Sequence, residues 1–350
     1  MEKSERYLAI DGVRTYAIIG ILIMHVRANS GIVMDGLIFN KVIPAFTDFV
    51  FLFMMVSALG MCCGYYDRIR KGSISIDDFY HKRYSKIWPF FALLCFLDFI
   101  MSPGLDTLYM LFADLTLCFA LLPNAQISVI GVGWTLGLIF VFYMLFPFFC
   151  FLIKNKKQAW WSFFIALLFN YACVNFFFDN THMLENYIVS SRTNIVYSAV
   201  YFFAGGLIYL YRFELSQFLH DKKWTIYIMT LLSIALYFVA GSNTTTLILV
   251  CSSLLICALK NTAGLLTNKL TKFIGGISFE IYLCHMVVYR CVERCGIFNT
   301  ISNEILKYIS LCSLTIIGSI AFAVIAKKML EIVSQFINKP RILRGGGTSK

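Results

Sequence analysis

The sequence predicts an all-α, polytopic integral membrane protein with about ten transmembrane helices, and three observations carry that prediction. Of the 350 residues, 59% are hydrophobic and only 14% are charged, whereas a soluble domain carries about 25% charged and about 45–50% apolar residues. One globular core of this size cannot bury such an excess while polar groups still cover its surface. The apolar residues also fall in blocks near the ~20 residues that a helix needs to cross a bilayer. Finally, the basic residues gather in short segments between the blocks, the positive-inside pattern. That pattern accounts for the net charge of +11 without a nucleic-acid partner, and none is expected.

Eleven hydrophobic runs occur, near 7–27, 44–64, 86–101, 107–123, 131–153, 159–178, 194–211, 224–241, 244–260, 277–292 and 304–326. Lys3 and Arg6 precede the first run and place the N-terminus in the cytoplasm. The segment after the second run holds Arg68, Arg70, Lys71, Lys82, Arg83 and Lys86 and is strongly inside. At the far end Lys327, Lys328, Lys339, Arg341 and Arg344 place the C-terminus inside as well. These assignments agree only if one segment does not cross. The 107–123 run, with Asp106 and Asp114, is the natural re-entrant or interfacial segment. Ten spans with both termini cytoplasmic remain. Residues 1–338 read as a single membrane domain and 339–350 as a polar cytoplasmic tail. The first run is long, carries Arg14 and His25 and lacks a small-residue cleavage site, so it reads as a retained span.

Most of the twelve cysteines lie in or beside apolar runs without metal-ligand spacing and read as small buried hydrophobes. Cys291 and Cys295, near a helix end, are the one pair worth testing as a disulfide. No metal is expected, and there is neither a phosphate-cradling glycine loop nor a Gly-x-Ser-x-Gly elbow.

Ionisable groups inside spans are costly and point to function. The first run reads AIDGVRTYAIIGILIMHV, with Asp11, Arg14 and His25. Arg14 and His25 are eleven residues apart, so they return to one helix face with about 20° of drift, some 16 Å apart along the axis. Asp11 precedes Arg14 by three and can pair with it on that face. An imidazole is suited to removing a hydroxyl proton, since its pKa lies near neutrality. The same pattern also fits an Arg and a His that only bond neighbouring helices, and the residues alone do not choose. In GGISFEIYLCH, Ser278, Tyr282 and His285 follow at steps of four and three and share a face directed into the protein. They line a cavity or bind helices together, two readings of equal weight. Glu280 lies off that face and is placed to pair with another helix. Trp134 fits a cavity wall or an interfacial anchor.

Six stretches in order resemble the bacterial acyltransferase-3 family over nearly the whole chain. They are LAIDGVR with its Arg14 and, after ten intervening residues, His25; FVFLFMMVSALG, where Ala58 replaces a glycine after Ser57; FYHKRYSKIWPFF, a basic motif with Arg83 and Lys86 before Pro89; WTLGLIFVFYMLFPFF from Trp134; YFFAGGLIYLY; and GGISFEIYLCH. Two departures matter. Ile139 or Phe140 stands where the family often has an acidic residue, leaving Asp11 and Glu280 as candidate carboxylates. Lys86 replaces an Arg, keeping the charge but losing the planar fork that grips phosphate.

The resemblance implies a membrane O-acyltransferase in the plasma or inner membrane. It would move an acyl group, commonly acetyl, from acetyl-CoA as co-substrate onto a hydroxyl of a cell-envelope polysaccharide or glycolipid. It implies His25 as general base, Arg14 steered by Asp11 at the donor thioester, and Arg83 and Lys86 on the donor phosphates. Ser57, Trp134, Ser278, Glu280, Tyr282 and His285 are the expected cavity-lining residues. The expected partners are the acyl-CoA donor, the glycan or glycolipid acceptor and membrane lipid, with a homo-oligomer left open. The alternative reading is a polytopic transporter of an anionic or glycolipid substrate that uses the same buried Arg and His.

Overall fold

The structure, a computed structural model, describes residues 7–121, 131–177, 191–259 and 264–337. Among these residues every regular element is helical. The chain opens with α1 (Leu8–Asn29), followed by a π-type turn, the short α2 (Ile43–Ala45), α3 (Phe49–Met61), a second π-type turn and α4 (Asp67–Arg70). Next come α5 (Ile76–Met101), α6 (Leu105–Leu115), α7 (Trp134–Leu152), α8 (Lys156–Ala172) and α9 (Ile195–Leu210). The last third comprises α10 (Arg212–Asp221), α11 (Lys223–Ala240), α12 (Thr244–Cys257), α13 (Lys269–Gly276), α14 (Ser278–Arg294) and α15 (Glu304–Ile337). The tail expected at 339–350, with Lys339, Arg341 and Arg344, lies outside the described residues.

Polar residues set where the helices begin. The Ser75 side chain accepts from the Asp78 N–H at the start of α5, Asn155 caps α8, Asn194 caps α9 and Asn268 caps α13. Asn243 and Thr246 form a reciprocal capping box at α12. Each cap satisfies N–H groups that have no partner inside the helix, and polar turns separate the apolar blocks for the same reason.

Among the described residues seven helical segments are long and apolar enough to cross a membrane, and eight if α9 and α10, bent by 68° at their junction, count as one. The expectation of about ten is therefore finer than length and composition support. The difference lies in α9, α12 and α14, which have 16, 14 and 17 residues. At 1.5 Å per residue each is shorter than the hydrocarbon core of about 30 Å, and α14 also carries Glu280, His285, Arg290, Glu293 and Arg294. The segment expected not to cross contains α6, which has eleven residues, about 16 Å of helix. All twelve cysteines are free thiols, including the exposed Cys291 and Cys295.

Helix α1 lies at the centre: 72% of its most apolar window is buried inside the protein, against 11% for the peripheral α11. It packs on α3, α13, α14 and α15. At the crossing with α13 and the segment before it, the backbones nearly touch. A Cβ on Gly275 would lie 2.2 Å from the Asp11 carbonyl oxygen, and one on Gly12 would lie 2.2 Å from that of Leu266. The Thr15 hydroxyl also contacts both the Asp11 carbonyl, at 2.9 Å, and the Thr271 carbonyl, at 2.8 Å. Small residues permit this approach, which is how helices associate where lipid removes the hydrophobic drive between them. Before α3, the buried Asp48 pairs with Arg192 and accepts from Tyr237 and Ser242, each at 2.6 Å. This carboxylate is fully satisfied, as a buried charge must be, and it ties the start of α3 to the α11–α12 turn.

The Gly275 contact generates a test. Gly275→Ala should cost about 1–3 kcal/mol by overpacking and lower the unfolding midpoint in detergent. Gly276→Ala, whose Cβ would meet nothing within 4 Å, should leave it unchanged.

Candidate functional site

The central crossing opens onto a cavity of about 260 Å³. Helix α1 supplies Asp11 and Arg14, α3 supplies Ser57, and α5 supplies Arg83 and Lys86. From α14 come Ser278, Glu280 and Tyr282. Eight of the eleven residues expected at the site thus line one cavity, although they are spread over 272 positions from Asp11 to Tyr282. Ile139, one of the two residues standing where the family often has an acidic one, lines the same cavity as the two candidate carboxylates, Asp11 and Glu280.

Four cations and two carboxylates face this space, so it is net positive. Arg14 Nη1 lies 3.3 Å from Asp11 Oδ1, the pairing that the three-residue spacing predicts. Glu280 Oε1 lies 3.3 Å from Lys327 Nζ, so its partner helix is α15. Lys327 is a cavity residue that sequence reasoning missed. It ends an apolar run and reads as an ordinary positive-inside charge, with no spacing relation to Glu280. Arg83 Nη2 donates to the Tyr65 hydroxyl at 2.6 Å, and its guanidinium sits 4.6 Å from the Tyr65 ring centroid. Its buried Nε has no hydrogen-bond partner among the described residues. Lys86 is exposed and forms no ion pair among the described residues. A polyanion entering here meets two cations whose strong donors are not already spent on carboxylates, and charge-assisted bonds to phosphate are the strongest available to it.

Two more residues shape the wall. Tyr143, from α7, places its hydroxyl 3.5 Å from Ser57 Oγ. The Tyr282 hydroxyl lies 3.0 Å from Thr135 Oγ1 and 3.1 Å from the Val132 carbonyl. Thr135 lines the cavity. Its neighbour Trp134, expected there, instead packs half-buried against the core at the first turn of α7.

The two histidines are set apart from the cavity and beside each other. The His25 and His285 ring centroids are 5.1 Å apart, with the planes tilted by 47°. The stripe expected on α14 is therefore divided: Ser278 and Tyr282 face the cavity, and His285 lies beyond it. Tyr282 stands between, its ring 5.8 Å from His285 and 6.2 Å from Phe53, another cavity residue. Tyr282 thus touches both the cavity, which its side chain lines, and the histidine pair. Among the described residues no cluster of His, Cys, Asp and Glu is arranged to hold a metal ion.

The acyltransferase-3 family model, described as an acyltransferase domain, matches residues 7–324. Neither a curated protein nor a solved structure matches the chain.

The Glu280–Lys327 pair sets part of the cavity potential and can be tested without a substrate. Glu280→Gln should bind pyrophosphate several-fold more tightly than wild type at low ionic strength, converging with it as salt screens the field. Calorimetric titration measures this, and equal affinities at low salt would show that the pair does not act on the cavity.

Proposed function

The chain belongs to the acyltransferase-3 family, and from that premise we propose that it is an O-acetyltransferase. It takes acetyl from acetyl-coenzyme A on the cytoplasmic side and transfers it to a hydroxyl of a cell-envelope polysaccharide, glycolipid or related sugar. Its place is the plasma or inner membrane, spanned about ten times with both ends cytoplasmic. In that topology α9, α12 and α14 are the three additional spans. Their shortness is tolerable in an interior position, where protein rather than lipid surrounds the helix ends.

The observation that carries this reading is the net positive cavity that joins Arg83 and Lys86 to Arg14. Coenzyme A presents phosphates at one end and a thioester at the other. Arg83 and Lys86, near the strongly basic segment after α4, take the phosphates. Arg14, held by Asp11, faces the thioester end, and the acetyl group extends past Phe53 and Tyr282 toward His25. There the acceptor hydroxyl adds to the thioester carbonyl while His25 takes its proton. The C–S bond breaks, and the coenzyme A thiolate recovers that proton as it leaves. Burial behind the aromatic pair keeps water from competing as acceptor.

Transport is the weaker reading. Transporters of this kind place broken spans in corresponding positions of two repeats, and the bent helix pair among the described residues is a single one, α9–α10.

Two measurements bear on the assignment. His25→Ala should lower thiol release from acetyl-coenzyme A, with a membrane fraction as acceptor, by at least about 10²-fold, the usual contribution of a general base. Full retained release would remove His25 from the chemistry. Arg83→Ala and Lys86→Ala should each raise the coenzyme A Kd about tenfold, as loss of a charge-assisted bond implies, with a smaller change in kcat. An unchanged Kd would place the donor phosphates elsewhere.

A further inference from the structure

One atom of the histidine pair is unaccounted for by the cavity or by packing. His285 is 1% exposed. Its Nδ1 lies 2.6 Å from the Tyr282 carbonyl oxygen. A carbonyl only accepts, so Nδ1 carries the proton and Nε2 keeps its lone pair. That Nε2 is buried and has no hydrogen-bond partner among the described residues. A buried acceptor left unmade is destabilising and calls for a reason.

The nearest ring is His25, at a centroid separation of 5.1 Å. Two imidazoles joined edge to edge by one N–H···N bond have centroids about 5 Å apart, one bond of about 3 Å plus two ring radii of about 1.1 Å. His25 is only half-buried, and at this separation a turn of its ring would be enough to bring one nitrogen toward Nε2. His285 does not share this freedom, being enclosed and held at Nδ1 by its own helix.

We propose that His285 is the positioning residue for His25. Its Nε2 accepts the N–H of the facing His25 nitrogen, which holds His25 in one tautomer and leaves the lone pair of the other nitrogen for the acceptor hydroxyl. The role within catalysis rests on the acyl-transfer reading above. During transfer the hydroxyl proton goes to the free His25 nitrogen, giving an imidazolium that shares its second N–H with His285. The departing thiolate then takes the proton back, and His285 keeps its own proton throughout. A base oriented by a third group is a recurring arrangement, and here the orienting group is neutral. Tyr282 links the two compartments, because its carbonyl fixes His285 while its phenol lines the cavity.

Two readouts test this on the full chain in detergent. The first is the 15N spectrum of protein labelled at its five histidines, with the His25 signals identified by their loss in His25→Ala. Wild type should show His25 as one hydrogen-bonded tautomer. His285→Phe should show it exchanging between tautomers, and His285→Gln, whose amide oxygen accepts, should restore one form. The second is thiol release from acetyl-coenzyme A. His285→Phe should lower kcat by about 10²–10⁴-fold, with the donor KM within about twofold, and His285→Gln should recover at least tenfold of that loss. A His25 tautomer unchanged in His285→Phe, or equal kcat losses in the two variants, overturns the proposal. If the Phe variant does not fold, wild type decides, since a His25 already exchanging between tautomers is equally fatal. Wild type that releases no thiol overturns the acyl-transfer reading instead, and the spectra still decide the pairing.

Discussion

The contact of two bare backbones, where α1 crosses α13, is the constraint from which the site follows. Lipid is as apolar as a leucine side chain, so nothing drives helices together in a membrane except close packing and hydrogen bonds. Gly12 and Gly275 provide the first, and the Thr15 hydroxyl on the Thr271 carbonyl provides the second. Any side chain at this crossing would push α1 outward by more than an ångström. Asp11 and Arg14 would then leave the wall they share with Ser278, Glu280 and Tyr282. The same crossing sets α1 alongside α14, which is why His25, three turns above Arg14, meets His285.

The buried charges are handled in two different ways. At Asp48 every strong interaction is made: Arg192, Tyr237 and Ser242 surround the carboxylate. That cluster holds helices together and has no spare capacity for a ligand. Around the cavity the pairing is incomplete. Among the described residues Asp11 pairs with Arg14 and Glu280 with Lys327, while Arg83 Nε makes no hydrogen bond and Lys86 no ion pair. Unspent cations near a pair of imidazoles are what the proposed reading draws on, with an anionic donor held by its charge and its reactive end lying deeper. The family to which the chain belongs transfers acyl groups, and acyl-coenzyme A has that shape.

Some expectations needed only local physics, and others came from the resemblance. The class of the protein follows from apolar content and block length, since a bilayer admits few other solutions. The Asp11–Arg14 pair follows from a spacing of three on a helix. The resemblance carried by six ordered stretches pointed to Arg83 and Lys86, Ser57 and Ser278, which the structure gathers around one cavity. The count of spans was less legible, because α9, α12 and α14 are short or polar, and hydropathy has no term for a helix sheltered by its neighbours.

By itself, then, the sequence determined an all-helical membrane protein, its family, and which helix faces carry ionisable groups, because these depend on composition and on the fixed period of a helix. Only the tertiary structure decided which faces meet. It put Arg14 on the cavity wall and left His25 off it, set His25 against His285, gave Glu280 its partner Lys327, and kept Trp134 out of the cavity lining. Those outcomes depend on crossing points between segments up to 260 residues apart in the chain, and a helical period reveals what a face presents, never what stands opposite it.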